Sequence, residues 1–287
     1  MYQLYGIPEA STELGWEVGL PLLAIVVLLC LAVPVWVALG FGAIGLLVMT
    51  DVLPLTLFGE ALFSGIDTFA LIAIPLFILT GDVLVRSGLS DKLLDVAEAT
   101  MGSLKTGFGT STILGCGFFA CISGSDAAGA AAVGRITYAR LVDAGYPRPY
   151  ACALVASGAC TGILIPPSIA YIIIGLILGI SASTLFLAAA IPGVMIMVSI
   201  MVTNIVLNRR HGYEASDIAF SFKRWLRALW AGKYALMIPF IILGGIYSGV
   251  FTPTEAAAVA VVTTIAIGLA QGTLTLDDFP KMLLSSA

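Results

Sequence analysis

Apolar residues come in long unbroken blocks along this chain, and polar ones are confined to short intervals between them. From Val18 to Thr50 there is no charged residue over 33 positions. As a single helix that run would extend about 50 Å, well beyond the roughly 30 Å hydrocarbon core of a bilayer. A break near Pro34, in "LAVPVWVALG", giving two short passes, fits the length better. Further spans are predicted over Ile66 to Val85, Pro149 to Leu178, Leu185 to Leu207, Tyr234 to Val250 and Ala256 to Ala270. The runs Ile113 to Ile122 and Ala127 to Gly134 are too short to cross. The pattern describes an all-α, multi-span integral membrane protein.

Composition agrees: 60% of the 287 residues are hydrophobic and 10% charged, with a mean hydropathy of +1.07. A soluble domain of this size does not need so much apolar surface. The formal net charge of −4 is small, and the cations are scattered between spans, so nucleic acid is a poor partner and the lipid bilayer is the expected surroundings. The basic patches are Arg86 to Lys105; Arg135, Arg140 and Arg148; and Arg209 to Lys233. Positive-inside bias places them in the cytoplasm, with the acidic N-terminal segment, residues 1–17, outside. That segment has no Lys or Arg, unlike the basic start of a cleaved signal peptide, so the first span is expected to remain in the membrane. Residues 209–233 have the basic, Trp-containing composition of a helix lying on the cytoplasmic surface. Cys30, Cys116, Cys121, Cys152 and Cys160 show no paired spacing and read as small buried hydrophobes.

These sides are consistent along the chain only if residues 107–141 enter and leave on the same face, which predicts a re-entrant hairpin. Its tip is "CISGSDAAG", where two serines, two glycines and an aspartate interrupt apolar sequence. Irregular backbone survives at membrane depth only inside protein or beside a cavity. A second irregularity follows in "ACTGILIPPSIAYIIIG", within residues 148–179. Pro166 and Pro167 lack N–H groups, so the carbonyls of Gly162 and Ile163 lose their helical partners. From Gly107 to Ser123, and from Tyr150 to Pro166, is sixteen residues in each case. Both interruptions therefore lie about 24 Å of helix in from the cytoplasmic face, where they can meet. Together they offer carbonyls, the hydroxyls of Ser123, Ser125, Thr161 and Ser168, and the carboxylate of Asp126. Such hard oxygen donors suit an alkali ion, and broken helices of this kind hold Na⁺ beside anionic substrates in secondary transporters.

Several other features have plainer readings. "GFGAIG", Gly40 to Gly45, fits a dinucleotide fingerprint but lies within a membrane run. Gly175/Gly179 and Gly245/Gly249 match GxxxG and suggest close helix packing. Asp82 and Glu255 read as structural, at a cytoplasmic helix end and a helix start. The single histidine, His211, is expected in a basic loop, which leaves a Ser/His hydrolase without a base. No enzymatic role is expected. A channel is the alternative to a transporter, and an intramembrane acid pair, Asp82 with Asp126, the weakest option.

Four segments, "IPLFILTGDVL", "FACISGSDAAGAAAVG", "VDAGYPRPYACALVASGACTGILIPPSIAYIIIG" and "IILGGIYSGVFTPTEAAAVAVV", resemble the large membrane subunit of tripartite ATP-independent periplasmic (TRAP) transporters. The resemblance covers most of Val33 to Ala270. It implies an elevator-type importer coupled to Na⁺, working with a small four-helix membrane subunit and a periplasmic binding protein in a bacterial or archaeal cytoplasmic membrane. Small organic acids, such as dicarboxylates, sialic acid or other sugar acids, are the implied substrates. Residues 107–141 and 148–179 would form the transport domain, joined by a connecting helix over 86–106. Residues 18–85 and 234–271 would be scaffold, and 184–208 a further span. Carried onto this sequence, the ion ligands are Ser123, Gly124, Ser125, Gly162, Ile163 and Ser168, with Ser125, Asp126, Thr161 and Pro166 facing substrate. Two positions depart from the family pattern: Asp126 follows Ser125 directly, and Ile163 stands where proline is common.

Such subunits carry a second, inverted half, and residues 272–287 read as its beginning. The chain alone is therefore expected not to transport; Na⁺-dependent uptake into liposomes holding only these 287 residues would contradict this.

Overall fold

A computed structural model describes residues 15–51, 54–104, 106–214, 221–275 and 278–286, and every regular element among them is helical. Most of the expected outer segment, residues 1–14, lies outside the described residues. The chain divides into two compact units, residues 1–68 and 69–287.

In the first unit, α1 (Trp16–Cys30) and α2 (Val35–Thr50) form an antiparallel pair. The expected break is present. Ala32 turns left-handed, Val33 N–H closes back onto the Leu28 carbonyl, and Pro34 starts the next helix. A further helix, α3 (Thr56–Ile66), precedes Asp67. The span expected from Ile66 therefore begins later, since Ile66 ends α3 and the N–H of Asp67 closes that helix on Phe63.

The second unit opens with a 3₁₀ turn, Phe69–Ile72, leading into α4 (Ala73–Arg86) and α5 (Leu89–Met101). The hairpin follows as α6 (Gly107–Ser123) and α7 (Asp126–Asp143). Its arms extend past the short apolar runs, because Gly, Ala and Thr continue both helices. The interrupted span comprises α8 (Arg148–Ala159), the single turn α9 (Thr161–Leu164) and α10 (Ile169–Leu178). Next come α11 (Ala182–His211), α12 (Phe222–Ala231), α13 (Lys233–Tyr247), α14 (Pro253–Ala270) and α15 (Phe279–Ser286). Among the described residues, four segments are long and apolar enough to cross a membrane, or five if the bent pair α12–α13 counts as one.

The main core joins Phe77 and Leu84 of α4, Leu93 of α5, Phe119 and Ile122 of α6, Ile238 and Ile242 of α13 and Ala257 of α14. α6 is buried almost all round. Close approach there requires glycine at position 109, where a Cβ would lie 2.5 Å from the Tyr146 hydroxyl. α11, by contrast, buries one stripe: Phe186, Ala189, Gly193, Met201, Asn204 and Asn208. Its remaining surface is as apolar as its packed face, so hydropathy cannot mark the stripe.

The structure corrects several expectations. Gly179 and Gly249 are left-handed helix ends, with Ile180 N–H closing on Gly175 O and Val250 N–H on Gly245 O, so both GxxxG matches terminate helices. His211 is the last residue of α11, stacked on Tyr213, rather than part of a loop. The arm over 209–233 is helical only along α12 among its described residues, apart from the end of α11. Among the cysteines only Cys116 is fully buried; Cys30, Cys152 and Cys160 are exposed, since in lipid an apolar residue gains nothing by facing inward.

Glu214, just beyond α11, organises the Gly107 end of the hairpin. Its buried carboxylate accepts the N–H groups of Phe108 at 2.8 Å and Gly109 at 3.3 Å, and the hydroxyl of Tyr146 at 2.9 Å. First-turn amides have no intrahelical acceptor, and a negative charge there suits the helix dipole. Asn208 fixes Glu214 by accepting its N–H at 2.9 Å and donating to its carbonyl at 3.1 Å. Burial, and then the adjacent carboxylate, push the Tyr146 phenol well above its usual range, which keeps it a donor.

Glu214→Ala is expected to lower stability by about 3 kcal/mol, because buried donors lose a charged acceptor, and Tyr146→Phe by about 1.5 kcal/mol, because the buried carboxylate loses one donor. Thermal unfolding followed by circular dichroism in detergent checks both; an unchanged midpoint for Glu214→Ala would show the network to be incidental.

Candidate functional site

The hairpin tip and the interrupted span meet. α6 ends at Gly124, whose left-handed backbone (φ 62°) turns the chain, and its N–H closes on Ala120 O. The Gly124 carbonyl then accepts the N–H of Ile169, the first residue of α10, at 3.2 Å. A Cβ on Gly124 would stand 2.7 Å from the Pro167 carbonyl oxygen, so only glycine fits both the turn and the contact. The same closeness recurs on the other side, where a Cβ on Gly162 of α9 would lie 2.7 Å from Asp126 N at the start of α7.

Each nominated residue has a definite place. Ser125 is extended and caps α7, its hydroxyl accepting the Ala128 N–H at 3.4 Å. Ser123 is completely buried, and among the described residues its hydroxyl meets only Ser125 O at 3.4 Å and Ser125 N at 3.5 Å. Such distances are at the edge of hydrogen bonding. Ser168 is also completely buried, extended before α10, and its hydroxyl has no hydrogen-bond partner among the described residues. Thr161 is buried and donates to Gly158 O at 2.7 Å, which leaves its lone pairs. Pro166 is buried beside the break. Ile163 is on the turn of Gly162 with an outward side chain, so its carbonyl is what it can offer. Asp126, half-buried at the first position of α7, makes no side-chain hydrogen bond among the described residues.

The structure thus brings Gly124, between Ser123 and Ser125, against Pro167 and Ile169, which flank Ser168, with Gly162 packed on Ser125 and Asp126. Two fully buried hydroxyls there are under-satisfied, a costly arrangement unless something else binds to them. A hard cation fits these oxygens. No group of three or more His, Cys, Asp or Glu that could hold a metal occurs among the described residues, and the nominated donors are hydroxyls and carbonyls with the single carboxylate of Asp126 beside them. The N-terminus of α7, 18 residues long, adds a positive dipole end beside them.

Neighbouring helices complete the surroundings. A Cβ on Gly81 of α4 would come 3.1 Å from Ser123 Cβ, and one on Gly193 of α11 would reach 2.8 Å from the Leu164 carbonyl. Neither glycine was singled out by motif; small residues in apolar spans were the available signal. A cavity of about 300 Å³ opens beside Gly81 between α4, α6 and α7, with Asp82 and Arg135 in its wall. Asp82 is engaged with Arg86 at 2.8 Å, which removes it as the free partner of an acid pair with Asp126. Glu255 forms a capping box with Thr252, a structural role.

Known proteins are similar to this chain in sequence. A family model described as "Tripartite ATP-independent periplasmic transporter, DctM component" matches residues 22–287. The isethionate TRAP transporter permease protein DctMQ of Oleidesulfovibrio alaskensis is 36% identical over 240 residues, 84% of this chain and 38% of that protein. The C4-dicarboxylate TRAP transporter large permease protein DctM of Rhodobacter capsulatus is 31% identical over 278 residues, 92% of this chain and 63% of that protein. The sialic acid TRAP transporter large permease protein SiaM of Vibrio cholerae is 34% identical over 257 residues, 89% of this chain and 60% of that protein. The chain spans less than two thirds of the length of each.

Gly124→Ala is expected to destabilise by about 2 kcal/mol, since it combines a left-handed backbone with a clash against Pro167 O. Gly129→Ala, whose Cβ would meet Phe119 at an ordinary 3.8 Å, should change stability by under about 1 kcal/mol. Unfolding midpoints of the two variants measured side by side test whether the contact between tip and break is as tight as described.

Proposed function

The chain belongs to the large permease family of TRAP transporters, and from that premise we propose that it forms an ion and substrate site of a Na⁺-coupled importer of small organic anions. It is a transport protein of the cytoplasmic membrane and not an enzyme. The observation that supports the reading is the pair of buried, under-satisfied hydroxyls of Ser123 and Ser168, each next in the chain to one end of the Gly124–Ile169 hydrogen bond.

Ser123, Gly124 and Ser125 from the tip, with Gly162, Ile163 and Ser168 from the break, supply oxygens to Na⁺. A neutral donor set leaves the ion's positive charge uncancelled, and the N-terminus of α7 adds to it. Both favour a carboxylate or sulfonate at Ser125 and Asp126, beside Thr161 and Pro166. Isethionate, C4-dicarboxylates and sialic acid, named for the relatives, each carry such a group ionised at neutral pH. The charge of the bound cation attracts the anion next to it, which makes occupancy of the two mutually dependent.

The tip and the break are bonded to each other, so α6 to α10 would travel as one body in an elevator movement, with α13 and α14 as scaffold. A small membrane subunit and a periplasmic binding protein complete the importer. The fused name DctMQ of one relative is in keeping with a second membrane component.

Uptake into liposomes holding the complete assembly, with and without Na⁺, is the test. Ser123→Ala, Ser125→Ala and Ser168→Ala are each expected to raise the Na⁺ concentration for half-maximal uptake about tenfold, the loss of about 1.4 kcal/mol. Unchanged Na⁺ dependence in all three would remove the site, and unitary current steps would replace the importer with a channel.

A further inference from the structure

The cavity beside Gly81 is a groove between α4 and α7, with Phe119 of α6 in its lining. One wall is the α4 face carrying Gly81, Asp82 and Val85, and the other the α7 face carrying Ala128, Ala131 and Arg135. The α7 residues stand at three- and four-residue spacing, which aligns them on one side of the helix. Their small side chains leave room: about 300 Å³ is open, the volume of a small ligand pocket. The groove adjoins the hairpin tip. A Cβ on Gly81 would come 3.1 Å from Ser123 Cβ, and Ala128 is the residue whose N–H the Ser125 hydroxyl accepts at 3.4 Å. From Ala128, α7 rises about 10 Å to Arg135.

Three charges decide what the groove attracts. Arg135 and Asp82 stand in its walls. Arg86, one turn along α4 from Asp82, donates to that carboxylate at 2.8 Å. Arg135 has no acidic partner among the described residues, whose ion pairs engage Asp82, Asp95 and Glu98 with other cations. Asp82 is the acid of the lining, and Arg86 holds it. That pair is close to neutral, so the groove keeps the positive charge of Arg135. A guanidinium presents two parallel N–H donors, a geometry that matches a carboxylate or sulfonate.

We propose that the α4–α7 groove is a second anion site, in which Arg135 binds the carboxylate or sulfonate of a small organic acid. Arg86 acts as a positioning residue: by holding Asp82 it keeps Arg135 free for the ligand. An anion that leaves the tip serines meets Arg135 next along α7, which makes the groove a stop on the path of the transported acid. That last step rests on the reading of the tip and break as the transport site; the anion site itself does not.

The test uses the complete permease assembly in detergent with Ala131→Cys, and modification at position 131 is followed by mass spectrometry. Two thiol reagents are compared, the anion sulfonatoethyl methanethiosulfonate and the cation trimethylammonioethyl methanethiosulfonate. Arg135→Gln should lower the ratio of anion rate to cation rate about tenfold, since one unit charge a helical turn away in water alters each rate about threefold in opposite directions. Arg135→Lys, which keeps the charge, should leave the ratio within about twofold. Arg86→Gln should lower it as Asp82 turns to Arg135, and adding Asp82→Asn should restore it. A ratio indifferent to Arg135→Gln would overturn the site, and one indifferent to Arg86→Gln would overturn the role of Arg86. Failure of both reagents to reach position 131, the result expected if another part of the assembly fills the groove, would also overturn the site. The labelling needs neither Na⁺ nor transport, so loss of Na⁺ dependence in the uptake assay would remove the ion site and leave the groove standing.

Discussion

A backbone amide or carbonyl at membrane depth has no water to fall back on, so each interruption of a helix must be satisfied by another part of the protein. This chain interrupts two helices and uses each to satisfy the other. The hydrogen bond from Ile169 N–H to the Gly124 carbonyl joins the end of one hairpin arm to the restart of the broken span. Gly124 can make it because it has no side chain to strike Pro167, and Pro166 and Pro167 create the need because they cannot continue the helix. The depth of the tip, the packing of α6 and the position of the serines follow from that joint.

The joint remains incomplete in one respect. Ser123 and Ser168 are buried with hydroxyls that find weak partners or none, a cost the surrounding packing must offset. The offset comes from elements outside the site. Glu214 satisfies the first-turn amides of α6 at the far end of the same arm, and Asn208 holds Glu214 in turn. Gly81 and Gly193 let α4 and α11 close over the tip and the break. A rigid frame around unfilled oxygens is what a site for a small cation requires, because the ligands need not be ordered at the moment of binding.

The perimeter of the second unit follows the chemistry of its solvent. α11 leaves most of its length apolar and unpacked, and α12 exposes three large hydrophobic residues opposite a cationic face. In water these would be liabilities; against lipid they set the height and tilt of the chain. The 69° bend at Gly232 is where the amphipathic α12 gives way to the apolar α13.

Hydropathy alone was enough to read the membrane class, four of the spans and the break at Pro34, because twenty-residue apolar blocks have no other economical explanation. The two interruptions and their equal depth were also legible, since the proline pair and the Gly/Ser-rich tip are exceptions to an otherwise uniform text and helical rise is constant. Their contact could be expected on that basis, and the Gly124–Ile169 bond realises it. Tertiary structure alone decided which face of each helix packs. Within lipid the inward and outward faces are equally apolar, so the period that marks an amphipathic helix in water is absent. For the same reason the cysteines were misplaced, and the GxxxG matches proved to be helix ends whose left-handed turns motif spacing does not encode. Glu214 was beyond reach for a different reason: it is 105 residues from the Gly109 amide it satisfies, and only folding brings a lone carboxylate to donors so distant along the chain.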